Sequence, residues 1–119
     1  MINIDLSKIK NEAEWYLSHY QQINSLVVQL PEDNRLKSIK VCDRVIVNPK
    51  VVLNAIDLAL ASVDSDCRRI ALKRYIDGEY WRVTANDECI SHQTYYRRLD
   101  SVITSMALQL VAKKIINIY

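Results

Sequence analysis

The sequence predicts an all-α protein in which a long N-terminal helix precedes a helical bundle carrying a helix-turn-helix and ending in a long last helix. Two observations predict it. The 119 residues include one Gly and two Pro, too few for the many tight turns of an all-β chain. Apolar residues also recur in steps of three and four over long stretches, the spacing that gathers them on one side of a helix. Half the residues are apolar and a quarter charged, ordinary for a soluble folded domain.

Asp5 or Ser7 can cap the first helix. Leu6, Ile9, Ala13, Tyr16, Tyr20, Ile23, Val27 and Leu30 then alternate by threes and fours as an a/d heptad without a break. That seam wants a partner, either a second copy in a homodimer or the rest of its own chain; Trp15, Leu17 and Leu26 widen the apolar face towards the second. Pro31-Glu32-Asp33-Asn34 ends the helix as a turn cluster. Arg35 to Val47 contains β-branched Ile39, Val41, Val45 and Val47 but no hairpin dipeptide, and reads as an irregular connector. Lys37, Lys40 and Arg44 in it read as solvating charges. Residues 1–47 thus form one unit, for packing or dimerisation, and residues 48–119 a second.

Asn48-Pro49 reads as a cap followed by Pro at the first helical position. Val52, Ile56, Leu60 and Val63 give a buried stripe, so a helix runs from Pro49 to about Ser62. A further helix, capped by Asp64 or Ser65, covers Asp66 to about Ile76, and Asp77-Gly78 closes it with the left-handed residue a helix end favours. Trp81 to Glu88 reads as a short helix whose Trp81 and Val83 enter the core, with Trp81 as an anchor. Cys89-Ile90-Ser91 is a tight turn. Ser91 then caps the last helix, which runs on towards Tyr119.

On that helix Tyr95, Leu99, Val102, Met106 and Leu110 form the buried stripe. Gln93, Arg97, Asp100 and Thr104 lie opposite, with His92 at the first turn and Tyr96 on the flank. Gln, His, Arg and Tyr are side chains that read base edges or hold phosphates. A short helix, a turn and a polar-faced helix together make a helix-turn-helix candidate. The candidate contacts to double-stranded DNA are His92, Gln93, Thr94, Tyr96, Arg97 and Arg98, with Arg82 from the preceding helix. A net charge of +2 is too small to argue for nucleic acid alone, but Arg68, Arg69, Lys73, Arg74, Arg82, Arg97 and Arg98 crowd one stretch, and no acidic side chain follows Asp100.

Cys42, Cys67 and Cys89 are odd in number and widely spaced, as expected of reduced thiols in the cytoplasm. Cys89-x-x-His92 has ligand-like spacing, yet only Cys67 is available as a further ligand, so a turn thiol is the better reading. No secretory leader and no apolar run of about 20 residues is present, so no membrane association is expected. Without a Gly-rich phosphate loop, a paired-His motif or a nucleophile–base arrangement, neither a cofactor nor enzymatic activity is expected. Adjacent Asp87 and Glu88 point to different parts of a helix surface and make a poor acid/base pair.

Cys67-Arg68-Arg69-Ile70 with Arg74-Tyr75 before the Gly, and Ile90-Ser91-x-x-Thr94-Tyr95-Tyr96-Arg97 at the start of the last helix, resemble the ArpU/RinA-type regulators of late gene transcription in phages and prophages of Gram-positive bacteria. Those regulators are in turn similar to the fourth region of sigma-70-type factors. Ala13 to Leu30, with Glu14, Tyr16 and Tyr20, resembles the family's N-terminal segment more loosely. Arg82 to Cys89 departs by lacking the Ala-x-x-Leu-Gly run of sigma-like motifs, which bears on the turn geometry. The resemblance implies a sequence-specific DNA-binding activator in a bacterial host. A competing reading is a helical module that binds host RNA polymerase or a regulatory protein without touching DNA.

Overall fold

The computed structural model describes residues 6–29 and 38–116. Asp5, Leu30, the 31–34 turn and Lys37 lie outside them. Among the described residues the chain forms six helices and one small sheet: α1 (Leu6–Ser18), α2 (Tyr20–Val28), β1 (Ser38–Val41), β2 (Arg44–Val47), α3 (Pro49–Ser62), α4 (Ser65–Tyr75), α5 (Trp81–Asp87) and α6 (His92–Ala112). The mostly helical class agrees with the sequence reading.

Helix α6 is the axis, and α1, α3 and α4 all pack on it. Its Tyr95, Val102, Met106 and Leu110 are fully enclosed and Leu99 nearly so, which bears out the stripe expected from spacing. Facing it, α3 supplies Val52, Ala55, Ile56 and Ala59, α4 supplies Ile70 and Ala71, and α1 supplies Ile9, Ala13 and Leu17. The fully buried alanines let backbones approach closely, while each large aliphatic side chain contributes about 1.5–3 kcal/mol by leaving water. Side-chain bonds between elements hold these layers together. Tyr20 donates to Asp57 at 3.0 Å, Tyr75 to Glu14 at 2.6 Å, and the Ser62 and Ser105 hydroxyls meet at 2.7 Å. Arg68 donates from Nε to the Leu60 carbonyl at 2.8 Å and from its fork to Val63 at 3.2 Å, covering carbonyls at the end of α3 that have no helical partner.

The N-terminal stretch differs from the expected single helix. It breaks at His19, whose ring donates from Nδ1 to the Trp15 carbonyl at 2.7 Å while stacking on the Trp15 ring at 4.2 Å. The ring shares the Trp15 carbonyl with the backbone N–H of His19, 3.1 Å away, and the break itself lies in the His19 backbone, at φ −106° and ψ 13°. Ser7 lies within α1, so it is not the cap. The heptad seam is used inside the chain: Ile9, Ala13, Tyr16 and Ile23 are buried in its own core. With α1 on α6 and α2 on α3 and β1, each half of the broken stretch covers a different surface.

Residues 38–47, expected to be irregular, are an antiparallel hairpin in which Ser38 pairs with Val47 and Val41 with Arg44. Cys42 takes the positive φ of the two-residue turn, 55°, a position usually given to Gly or Asn. Tertiary packing selects the hairpin, because Val41 and Ile46 are buried against the helices. Arg44 donates to Glu12 of α1 at 2.8 Å and lies 4.0 Å over the Trp15 ring.

Helix α3 has the expected bounds, but Asn48 does not cap it with its side chain; it adopts the left-handed region at φ 53°. Helix α4 starts at Ser65, with Asp64 before it making no side-chain cap bond. Gly78 at φ 69° turns the chain after α4 as expected. Helix α6 stops at Ala112 instead of running to Tyr119. Lys114 takes φ 60°, its N–H bonds Val111 at 2.9 Å, and the Ile115 N–H bonds Leu110 at 2.8 Å. This is a Schellman cap, and it turns Ile116 back into the core.

Candidate nucleic-acid interface

The interface candidate is built on α5, the turn after it and the first two turns of α6. At the end of α5 the Ile90 N–H reaches the Ala85 carbonyl at 3.0 Å and the Cys89 N–H the Asn86 carbonyl at 3.2 Å, with Cys89 at φ 56°. These are the two bonds of a Schellman cap, and Cys89 occupies the left-handed position that favours Gly. The absent Gly is thus replaced by a strained Cys rather than by a different turn. Ser91 caps α6 as expected: its Oγ accepts from the Thr94 N–H at 3.1 Å.

A second lock fixes the turn from outside. Arg69 of α4 donates from Nε to both Glu88 oxygens at 2.9 Å and from its fork to Asp66 at 2.9 Å. The hydrogen bonds from Arg69 hold the Glu88 carboxyl below its ordinary pKa, against burial that pushes the other way, and raise the Arg69 pKa. Two basic residues of the crowded stretch, Arg68 and Arg69, are therefore structural.

On α6, His92, Gln93 and Arg97 are exposed, and Tyr96 is 38% exposed beside a fully buried Tyr95, as the helical phase requires. Gln93 and Arg97 lie one turn apart on the same face. Thr94 is half-buried, and its hydroxyl accepts from Ser91 at 3.0 Å, so its primary contact is with the cap. Arg98 is also half-buried. Arg82 is exposed on α5, its guanidinium 5.4 Å from the Trp81 ring centre. Among the described residues none of Arg82, Arg97 and Arg98 has a carboxylate at ion-pair distance.

The polar strip is shorter than its sequence spacing implies. Asp100 receives Lys10 of α1 at 2.9 Å, and Thr104 lies with Leu6 and Ile9 along a groove between α1 and α6. Helix α1 borders this end of the strip, where Asp100 is paired though still exposed and Thr104 half-buried, and leaves the first two turns of α6 free. Val83 corrects another expectation: it is 48% exposed rather than in the core. Its neighbours Thr84 and Ala85 take the buried positions of this short helix.

Trp81 does two things at once. It packs against the core from a half-buried position, and its ring meets His92 edge-on at 4.6 Å, while His92 meets Tyr96 at 4.8 Å. Trp81, His92 and Tyr96, with Arg82 alongside, thus form an aromatic and cationic surface continuous with Gln93 and Arg97. Arg74 of α4 adds a further cation, 6.0 Å from the Tyr96 ring centre. Burial disfavours its charge, yet the Tyr95 and Tyr75 hydroxyls leave its pKa raised. The Tyr95 hydroxyl itself is buried with no partner in hydrogen-bond geometry. From sequence, Arg74 counts only in the basic stretch and the resemblance, and Trp81 only as a core anchor; the run Tyr80-Trp81-Arg82 just before the turn was the available signal for the surface role of Trp81.

Among the described residues no group of three His, Cys, Asp or Glu side chains is placed to hold a metal, and no helix is long and apolar enough to cross a membrane. Comparison of the chain with protein-family models, curated protein sequences and solved structures finds no match.

Proposed function

We propose that the chain is a sequence-specific DNA-binding transcription regulator that lays the first two turns of α6 in the major groove, in the manner of a helix-turn-helix. The observation that carries this reading is the free face of those turns. Gln93 and Arg97 stand one turn apart on a helix whose start is fixed by the Ser91 cap, and among the described residues no carboxylate pairs with Arg97. Arg82, His92 and Tyr96 flank them as contacts to phosphate and sugar. The resemblance to ArpU/RinA-type regulators supports a finer reading, an activator of phage or prophage late genes working beside host RNA polymerase.

Selection from a random duplex library tests it, followed by anisotropy on the selected and on mixed DNA at several salt concentrations. Affinity for both should fall steeply with salt as phosphates are neutralised. Arg97→Ala should remove about 1–3 kcal/mol of discrimination while leaving most binding to mixed DNA. No enriched sequence, or salt-insensitive binding, would overturn the proposal, and equal losses on both DNAs would reduce Arg97 to a phosphate contact.

A further inference from the structure

At the far end of α6 a second surface has different chemistry. Val45 and Val47 on β2 are 61% and 62% exposed, while Ile46 between them is buried. The two-residue turn makes Val41–Arg44 the closing hydrogen-bonded pair, so Ile39–Ile46 is the next, and Val45 and Val47 direct their N–H and C=O groups away from β1. Within the described residues the sheet has only these two strands. The outer edge of β2 therefore offers both backbone partners and exposed apolar side chains, the combination that accepts an added strand.

Beside this edge lies a groove of about 280 Å³, walled by Val45, Val47 and Val51 on one side and by Lys113 and Lys114 at the end of α6 on the other. No acidic side chain lines it among the described residues, and both lysines are exposed. We propose that this edge and groove bind an extended segment of another protein, one with β-branched or other apolar residues at alternate positions and Asp or Glu between them. The alternate side chains cover the valines, the backbone pairs with Val45 and Val47, and the carboxylates meet the lysines. A second copy of the chain fits less well, because it brings its own Lys113 and Lys114 towards the same cations. Duplex DNA fits less well, because phosphates gain nothing from three exposed valines. The 21 residues of α6 separate this surface from the Ser91 end by ~30 Å, so both faces can be occupied together.

The test is selection of a random dodecapeptide library displayed on phage against the full chain, followed by titration of the most enriched synthetic peptide. The enriched peptides should alternate apolar and acidic residues, and the amide signals of Val45 and Val47 should shift on binding. The double variant Val45→Thr, Val47→Thr should weaken the peptide at least tenfold, and Lys113→Glu severalfold, with helicity unchanged because these side chains are exposed. Failure to enrich any peptide would overturn the proposal, as would a basic consensus, binding indifferent to these substitutions, competition by duplex DNA, or self-association through this edge. None of these results depends on whether α6 reads DNA.

Discussion

Replacing Cys89 by Gly should stabilise the protein. Cys89 sits at φ 56° in the cap that ends α5, and a left-handed backbone costs an ordinary L-residue roughly 1–2 kcal/mol. Its side chain is exposed, so little burial is lost with it. Gly brings more freedom to the unfolded chain, which takes back about 0.4–1 kcal/mol. The net expected gain is about 0.5–1 kcal/mol, a rise of roughly 2–5 °C in Tm for a chain of this size. Urea unfolding followed by far-UV circular dichroism measures it, with Cys89→Ala as the control that keeps the strain and Cys89→Val as the one that adds β-branching to it. The order should be Gly above wild type, Ala near wild type and Val below. A Gly variant no more stable than the Ala variant would mean that the bonds to Ala85 and Asn86 do not hold residue 89 in the left-handed region. The turn that aims α6 would then need another explanation.

Tyr95→Phe should change stability by no more than about 1 kcal/mol in either direction, since the buried hydroxyl makes no well-formed hydrogen bond and meets only the Arg74 guanidinium, whereas Tyr95→Ala should cost ~3–5 kcal/mol in urea unfolding; comparable losses for both would show the hydroxyl to be strongly bonded. Ile23→Asp places a charge at a fully buried position, so circular dichroism should report lost folding; a folded variant with altered mass in light scattering would instead make the seam an interface between copies. Acid should weaken the Arg69–Glu88 lock. The folded Glu88 pKa is lowered from an unfolded value of about 4.3, so its contribution is complete above that pH and is lost as pH falls through the folded value. Denaturation midpoints between pH 7 and pH 2 should therefore fall less in Glu88→Gln than in the wild type, by a modest amount because the Arg69 side chain is nearly half exposed to screening solvent; parallel profiles would remove Glu88 from the acid response.

The parts of the fold legible in the sequence are those governed by neighbours along the chain. Pro at the first position of α3, the Ser91 cap and the spacing of Tyr95, Leu99, Val102, Met106 and Leu110 are local facts, and the burial phase that separates Tyr95 from Tyr96 follows from helix geometry alone. The exposure of His92, Gln93 and Arg97 was legible for the same reason. Tertiary structure decided the rest. Of the five left-handed positions among the described residues, Cys42, Asn48, Cys89 and Lys114 are not Gly, so the hairpin turn, the cap of α5 and the end of α6 carry no local signal. Burial of Val41, Ile46 and Ile116 by distant segments holds the chain in those turns. The meeting of Trp81 with His92, the lock of Arg69 on Glu88 and the pairing of Lys10 with Asp100 likewise join residues 11, 19 and 90 positions apart. Periodicity places a side chain on one face of its own helix, but which neighbour reaches that face depends on how all the apolar faces can be buried at once.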